Sequence, residues 1–169
     1  MEQVAALRIY STAAFRSIND PLRDLARKER GEAHPLPLTV KLITEAVGKL
    51  RAVEAETEAA NQAFDLYRGL KNVEAKDEFL QRGGTELAPM STTRSLEVAL
   101  KYSQSAQSVL FRLRTSNSME RGADIGFLSA FPGEEEYLYP PLTYLKPGRA
   151  TSISLHGHEY TVLEVEPRA

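Results

Sequence analysis

Apolar positions in residues 12–30 fall at Phe15, Ile18, Leu22 and Leu25, spacings of three and four that match the helical period. Pro21 interrupts this pattern, which predicts two short helices meeting near Ile18–Pro21. A Pro-rich connection covers 31–38. Thr39 is then placed to cap a long helix running to about Ala63, with Val40, Ile43, Val47 and Leu50 on one face. The period changes at residue 64. Phe64, Leu66, Arg68 and Leu70 alternate with Asp65, Tyr67 and Gly69, as along a strand. Residues 82–84 read as a turn, Thr85–Thr93 as a strand followed by a turn, and Ser95–Ser103 as a short helix. Val109, Phe111 and Leu113 share one face of a half-buried strand over 108–115. After a long loop, the segments 134–141, 143–147, 151–155 and 159–165 read as three or four strands joined by Pro or Gly turns. His156-Gly157-His158 reads as the turn of the last hairpin.

Helices first and antiparallel strands afterwards indicate an α+β fold. The expected arrangement is a mainly helical part, 1–63, packed on a strand-rich core, 64–169, within a single domain over 1–169. Many short strands predict a sheet that splits into two packed layers.

Composition narrows the function classes. The 169 residues are 42% hydrophobic and 26% charged, ordinary for a globular chain with a real core. A formal net charge of −2 gives no electrostatic footprint for nucleic acid. No apolar run is long enough to span a membrane. The first residues lack the basic start and apolar stretch of a secretory signal, so a cytoplasmic location, or that of a secreted or translocated effector, is expected. Cysteine is absent, which removes disulfides and thiol chemistry. His34, His156 and His158 lack the partners of a zinc pattern, so no metal is expected. No Gly-rich dinucleotide or phosphate fingerprint is present, and no Gly-x-Ser-x-Gly elbow.

Three polar groups carry candidate chemistry. Glu134, Glu135 and Glu136 stand at the mouth of a strand, where Glu134 and Glu136 would share a face with Cβ atoms about 7 Å apart. Paired carboxylates suit chemistry that passes through a sugar cation, although a charge run ordinarily faces water. Arg68 lies in phase with Phe64 and Leu66. A guanidinium on a core-facing side needs an anion, whether a ligand phosphate or a structural carboxylate. Gly69 beside it permits close approach to the backbone. Ser91, Thr92 and Thr93 offer three hydroxyls before a helix, suited either to capping or to orienting a carboxylate.

Taken in order, Arg68 in Leu-Tyr-Arg-Gly-Leu, then Ser91-Thr92-Thr93, then Glu134-Glu135-Glu136 resembles the R-S-E signature of mono-ADP-ribosyltransferases. The stretch IYSTAAFRSINDPLR is similar to the helical entry of the binary-toxin members. FLSAFPGEEEYLYPP resembles the loop and strand that carry the catalytic glutamate in the arginine-specific branch. The resemblance extends from about residue 8 to residue 165. It implies NAD as a consumed substrate, with Glu136 as the catalytic glutamate on the nicotinamide ribose and Glu134 as the carboxylate tied to an arginine acceptor. Ser91 would orient Glu136, Arg68 would hold the NAD phosphates or ribose, and the Gly69 backbone would meet the nicotinamide amide. Thr92 belongs to the same NAD-binding set.

Further parallels are Tyr10 and Asn19, in a Tyr-x4-Tyr-x3-Asn pattern whose residues face NAD. Phe15 replaces the second tyrosine and lacks its hydroxyl. Tyr102 takes the place of an aromatic that stacks on nicotinamide. Phe131 and Pro132 would present the preceding loop to the target protein. The implied partners are NAD and an arginine-bearing protein, with automodification open, and the chain is expected to be a monomer. Water as acceptor, giving an NAD glycohydrolase, and a silent binding module on the same fold are the alternatives.

Overall fold

The computed structural model describes residues 1–73, 76–105, 108–155 and 157–169. The helical part comprises α1 (Glu2–Tyr10), α2 (Phe15–Arg23), α3 (Leu25–Glu29) and α4 (Pro37–Ala55), closed by a 3-10 turn at Glu58–Asn61. The remainder follows as β1 (Phe64–Lys71), α5 (Asp77–Arg82), β2 (Gly84–Glu86), β3 (Met90–Thr93), α6 (Leu96–Ser103), β4 (Ser108–Thr115), β5 (Ala123–Asp124), β6 (Glu136–Tyr139), β7 (Thr143–Leu155) and β8 (His158–Arg168). Among the described residues no helix is long and apolar enough to cross a membrane.

The eight strands form one ladder in the order β2-β7-β8-β4-β1-β3-β6-β5. All pairings are antiparallel except β4 with β8. The expected split survives as a weak joint in that ladder. β4 and β1 pair along their full length, whereas β1 meets β3 at a single register pair, Tyr67 opposite Thr93. The two halves diverge from that point, and a cleft opens between them.

Local chemistry moves several boundaries. α2 runs through Pro21, and the helical break falls at Asp24, whose side chain accepts the Arg27 N–H at 3.0 Å and caps α3. Pro21 removes the N–H that would bond the Ser17 carbonyl, and the helix ends two residues later. Leu25, part of the expected apolar face, is 58% exposed for the same reason: the chain has turned by then. α4 begins on Pro37 in its first turn, not on a Thr39 cap, and stops at Ala55. Met90–Thr93 is a strand rather than a turn, with Ser91 opposite Leu138 and Thr93 opposite Glu136. Two expected strands fuse into β7, with a register irregularity between Pro147 and Ala150 that absorbs the proline. In the last hairpin Gly157 has φ +78°, while His156 lies outside the described residues. The two-turn helices α1 and α5 have no counterpart in the expected pattern.

Packing holds the helices against the far half of the sheet. Leu7, Tyr10, Ile18, Ile43 and Val47 bury against Ala123, Ile125 and Leu138. A second cluster, including Leu66, Met90, Leu113, Tyr139 and Leu163, fills one face of the central strands. Arg121 ties the helical part to the sheet. It is fully buried and donates to the carbonyls of Ala59, Ala60 and Gln62 at 2.7–3.2 Å, with Glu54 3.3 Å away. These carbonyls belong to the 3-10 turn after α4, where orphan acceptors collect.

α6 lies on β1 at Gly69. A Cβ there would collide with the Ala99 carbonyl oxygen and stand 2.8 Å from the Ser103 nitrogen. The glycine is therefore required by helix-on-strand contact. Gly69→Ala is expected to lower stability by about 3 kcal/mol, the upper end of overpacking costs, because the obstacle is backbone. Urea denaturation checks this, and an unchanged midpoint would contradict it.

Candidate active site

The cleft encloses a cavity of about 400 Å³, within the range of small-molecule sites. Its walls come from the chain after α1, the face of α2, the strands β1 and β3, α6 and the loop before β6. Apart from Pro132, every residue to which the sequence assigns a role at the site lines it.

Glu136 is the first residue of β6 and is only 6% exposed. The Ser91 hydroxyl donates to its Oε1 at 2.6 Å, and the Ser129 hydroxyl donates to Oε2 at 3.3 Å. Burial pushes this carboxyl above the usual carboxylate range. The two serine hydrogen bonds oppose that shift, and the neighbouring Glu134 adds to it.

Glu134 shares the cavity, though not by strand alternation. It closes a 3-10 turn over Pro132–Glu134, and Glu135 follows in the left-handed region at φ 46°, ψ 53°. The strand begins only at Glu136. Residue 135 thus acts as a pivot between turn and strand, and its own side chain is exposed. The turn is held by Thr93, whose hydroxyl donates to the Glu134 carbonyl at 2.5 Å, and by the Arg94 N–H to the Glu135 carbonyl at 3.4 Å. The Glu134 carboxylate accepts from the Tyr102 hydroxyl at 2.7 Å.

Arg68 follows Leu66 on the same face of β1, where core gives way to cavity. Its Nη1 donates to the Ser91 carbonyl at 2.7 Å, and among the described residues it has no ion pair. Burial draws it below the usual guanidinium value, Tyr10 and Glu86 oppose this, and the cation of Arg23 adds to it. Arg23 lines the same cavity, held by a two-point pair to Glu86 at 2.9 and 3.0 Å.

Tyr10 and Asn19 brace β3 from behind. The Tyr10 hydroxyl donates to the Pro89 carbonyl at 2.8 Å, and Asn19 Nδ2 donates to that hydroxyl and to the same carbonyl. Burial pushes the Tyr10 phenol up to about 12. Asn19 Oδ1 is buried without a hydrogen-bond partner among the described residues. Thr92 donates to the Tyr137 carbonyl at 2.9 Å. Phe15 sits 6.4 Å from Tyr10, ring to ring. Phe131 and Pro132 are exposed on the rim. The loop below them is fixed by Ser11, which accepts the Ala130 N–H at 2.8 Å, and by Ser129, which accepts the Phe131 N–H at 3.1 Å.

Sequence reading missed Arg23 and Ser129. Arg23 had a signal: it stands four residues after Asn19 and shares its helical face. Ser129 had none, since only tertiary folding brings a loop serine to Glu136. Among the described residues no three His, Cys, Asp or Glu side chains converge as a metal site would.

The cavity thus sets a buried carboxylate under two hydroxyls near an arginine that has no ion pair among the described residues. Several solved structures with this fold are ADP-ribosyltransferases. Plx2a, a toxin from Paenibacillus larvae, superposes with a TM-score of 0.74 at 19% identity, over 99% of this chain and 86% of that one. An ADP-ribosyltransferase from Clostridium botulinum gives 0.70 at 19% identity, over 97% and 86%. Vis from Vibrio splendidus, solved with agmatine, gives 0.66 at 22% identity, over 96% and 73%. Among curated proteins no relative matches. The family model of the ADP-ribosyltransferase exoenzymes matches residues 1–167, and the chain belongs to that family.

The burial of Glu136 makes a prediction for stability. Its folded pKa lies above the unfolded carboxylate value of about 4.3, so between the two the native state binds the extra proton. Stability therefore falls as pH rises through that window and stays lower above it. Glu136→Gln is expected to melt at a higher temperature than the parent near neutral pH, with the gain shrinking on acidification below about pH 4. Circular-dichroism melts at neutral and acidic pH check this. A variant less stable at neutral pH would contradict it.

Proposed function

We propose that the chain transfers ADP-ribose from NAD to the guanidinium of arginine in a protein, releasing nicotinamide. The observation that carries this reading is the pairing of two carboxylates with different surroundings in one cavity: Glu136 buried under two serine hydroxyls, and Glu134 on the rim side.

Glu136 supplies negative charge beside the ribose as the bond from its anomeric carbon to the nicotinamide nitrogen breaks. The bonding pair leaves with nicotinamide and neutralises its pyridinium charge. Positive charge then develops on the sugar, where a fixed anion in a water-poor site is most effective. Ser91 and Ser129 keep Glu136 ionised and aimed. Arg68 and Arg23 hold the diphosphate, the two-point geometry of guanidinium being suited to it. Asn19 offers its unpaired Oδ1 as an acceptor on the same wall. Glu134 orients the incoming guanidinium and takes a proton from it as the new carbon–nitrogen bond forms, since a protonated guanidinium is no nucleophile. Phe131, Pro132 and the exposed Phe127 form the apolar rim that a target protein would meet.

Agmatine, a small guanidine, tests the reading. With NAD and agmatine the chain should release nicotinamide and form an ADP-ribosyl adduct. Glu136→Gln should lower both by about a hundredfold or more, and Glu134→Gln should lose the adduct while retaining part of the nicotinamide release. Full activity in Glu136→Gln would sink the assignment. Nicotinamide release with no adduct would make the chain an NAD glycohydrolase.

A further inference from the structure

One side-chain contact crosses the rim of the cavity. Tyr102 stands in the last turn of α6, 53% exposed, and Glu134 in the turn before β6. Their hydrogen bond joins residues 32 positions apart. Each end is anchored separately. α6 is seated on the backbone of β1 at Gly69, and the Glu134 turn is held to β3 by Thr93. Both walls are therefore fixed, and the phenol reaches over the gap between them. Among the described residues no cation pairs with Glu134, so its carboxylate is steered by this one neutral donor.

We propose that Tyr102 is a positioning residue that determines the acceptor: its hydroxyl holds the Glu134 carboxylate toward the cavity and so favours a guanidinium over water. The proposal rests on the reading of Glu134 as the acceptor-side carboxylate. Its chemistry follows from the hydrogen-bonding capacity of the group. An ionised carboxylate offers about four lone-pair sites. The phenol takes one on Oε1 and leaves Oε2 and the remaining Oε1 site for the two parallel N–H groups of a guanidinium. A glutamate on an exposed turn otherwise samples several rotamers, only some of which face the reacting carbon. Water needs no such orientation and attacks whichever way Glu134 points. The hydrogen bond to Glu134, more than burial, pushes the Tyr102 phenol up to about 12, so it remains a donor throughout the working range.

Tyr102→Phe keeps the ring and removes the hydroxyl. With NAD and agmatine, the ratio of adduct to hydrolysed NAD is expected to fall about tenfold, the worth of a hydrogen bond to a charged group at a partly exposed site. The change should fall on the KM for agmatine more than on the KM for NAD. A readout independent of activity accompanies it: in Glu134→Gln the Tyr102 Cζ resonance should titrate at lower pH than in the parent. A parent chain that consumes no NAD would defeat the functional reading itself. A parent transferase whose product ratio ignores Tyr102→Phe, or a variant in which the NAD KM rises while the ratio holds, would overturn this proposal alone. So would a Tyr102 titration indifferent to Glu134→Gln.

Discussion

The proposed chemistry depends on one carboxylate held where burial works against its charge. Among the described residues no cation pairs with Glu136 to compensate its burial; it has two serine hydroxyls from different parts of the chain. Neutral donors are the suitable support here. A lysine or arginine in their place would stabilise the ground-state anion more strongly and, on the proposed mechanism, would also cancel the field offered to a developing sugar cation. Because burial opposes its charge, the arrangement is expected to cost native-state stability, a trade that functional groups often make with their scaffold.

The architecture provides for this carboxylate by interrupting its own sheet. β3 and β6 pair over four residues and carry Ser91 and Glu136, while β3 touches β1 at only one pair. A fully zipped sheet would leave no cavity between Arg68 and Glu136. A fully divided one would leave the Ser91 carbonyl out of reach of Arg68. Tyr10 and Asn19 fix the entry to β3 through the Pro89 carbonyl, and Arg121 locks the end of the helical part to the same half of the sheet. The helices thus serve the site as its back wall and set the angle at which β3 arrives.

How much of this could be read in advance varied with the kind of signal. β1, β4 and α6 were legible because each is a run of eight residues with clear periodicity. α1 was not, since two turns with three buried positions carry little pattern. Met90–Thr93 looked like a turn because Ser and Thr favour turns locally. Its strand state comes from the partner β6, which is remote in sequence. In the site, Arg68 was legible because a polar group in apolar phase is costly unless used, whereas Ser91 and the glutamates took on roles only through the ordered resemblance. Ser129 and the Tyr102–Glu134 contact depend on loop geometry that no local pattern encodes. The pairing of Glu134 with Glu136 was expected for a reason the backbone does not obey, since the left-handed residue between them replaces strand alternation.

That pivot at Glu135 has a consequence for how such a site can change. Two carboxylates on one strand would be mechanically coupled, and any shift that re-aimed one would drag the other. Here Glu136 belongs to the rigid sheet and Glu134 to a turn, with a single backbone hinge between them. On the proposed reading, the carboxylate beside the breaking bond and the carboxylate facing the acceptor sit on different backbone elements. A substitution in the turn would then leave the strand that carries Glu136 in place, while removing the push that the Glu134 charge adds to its carboxyl.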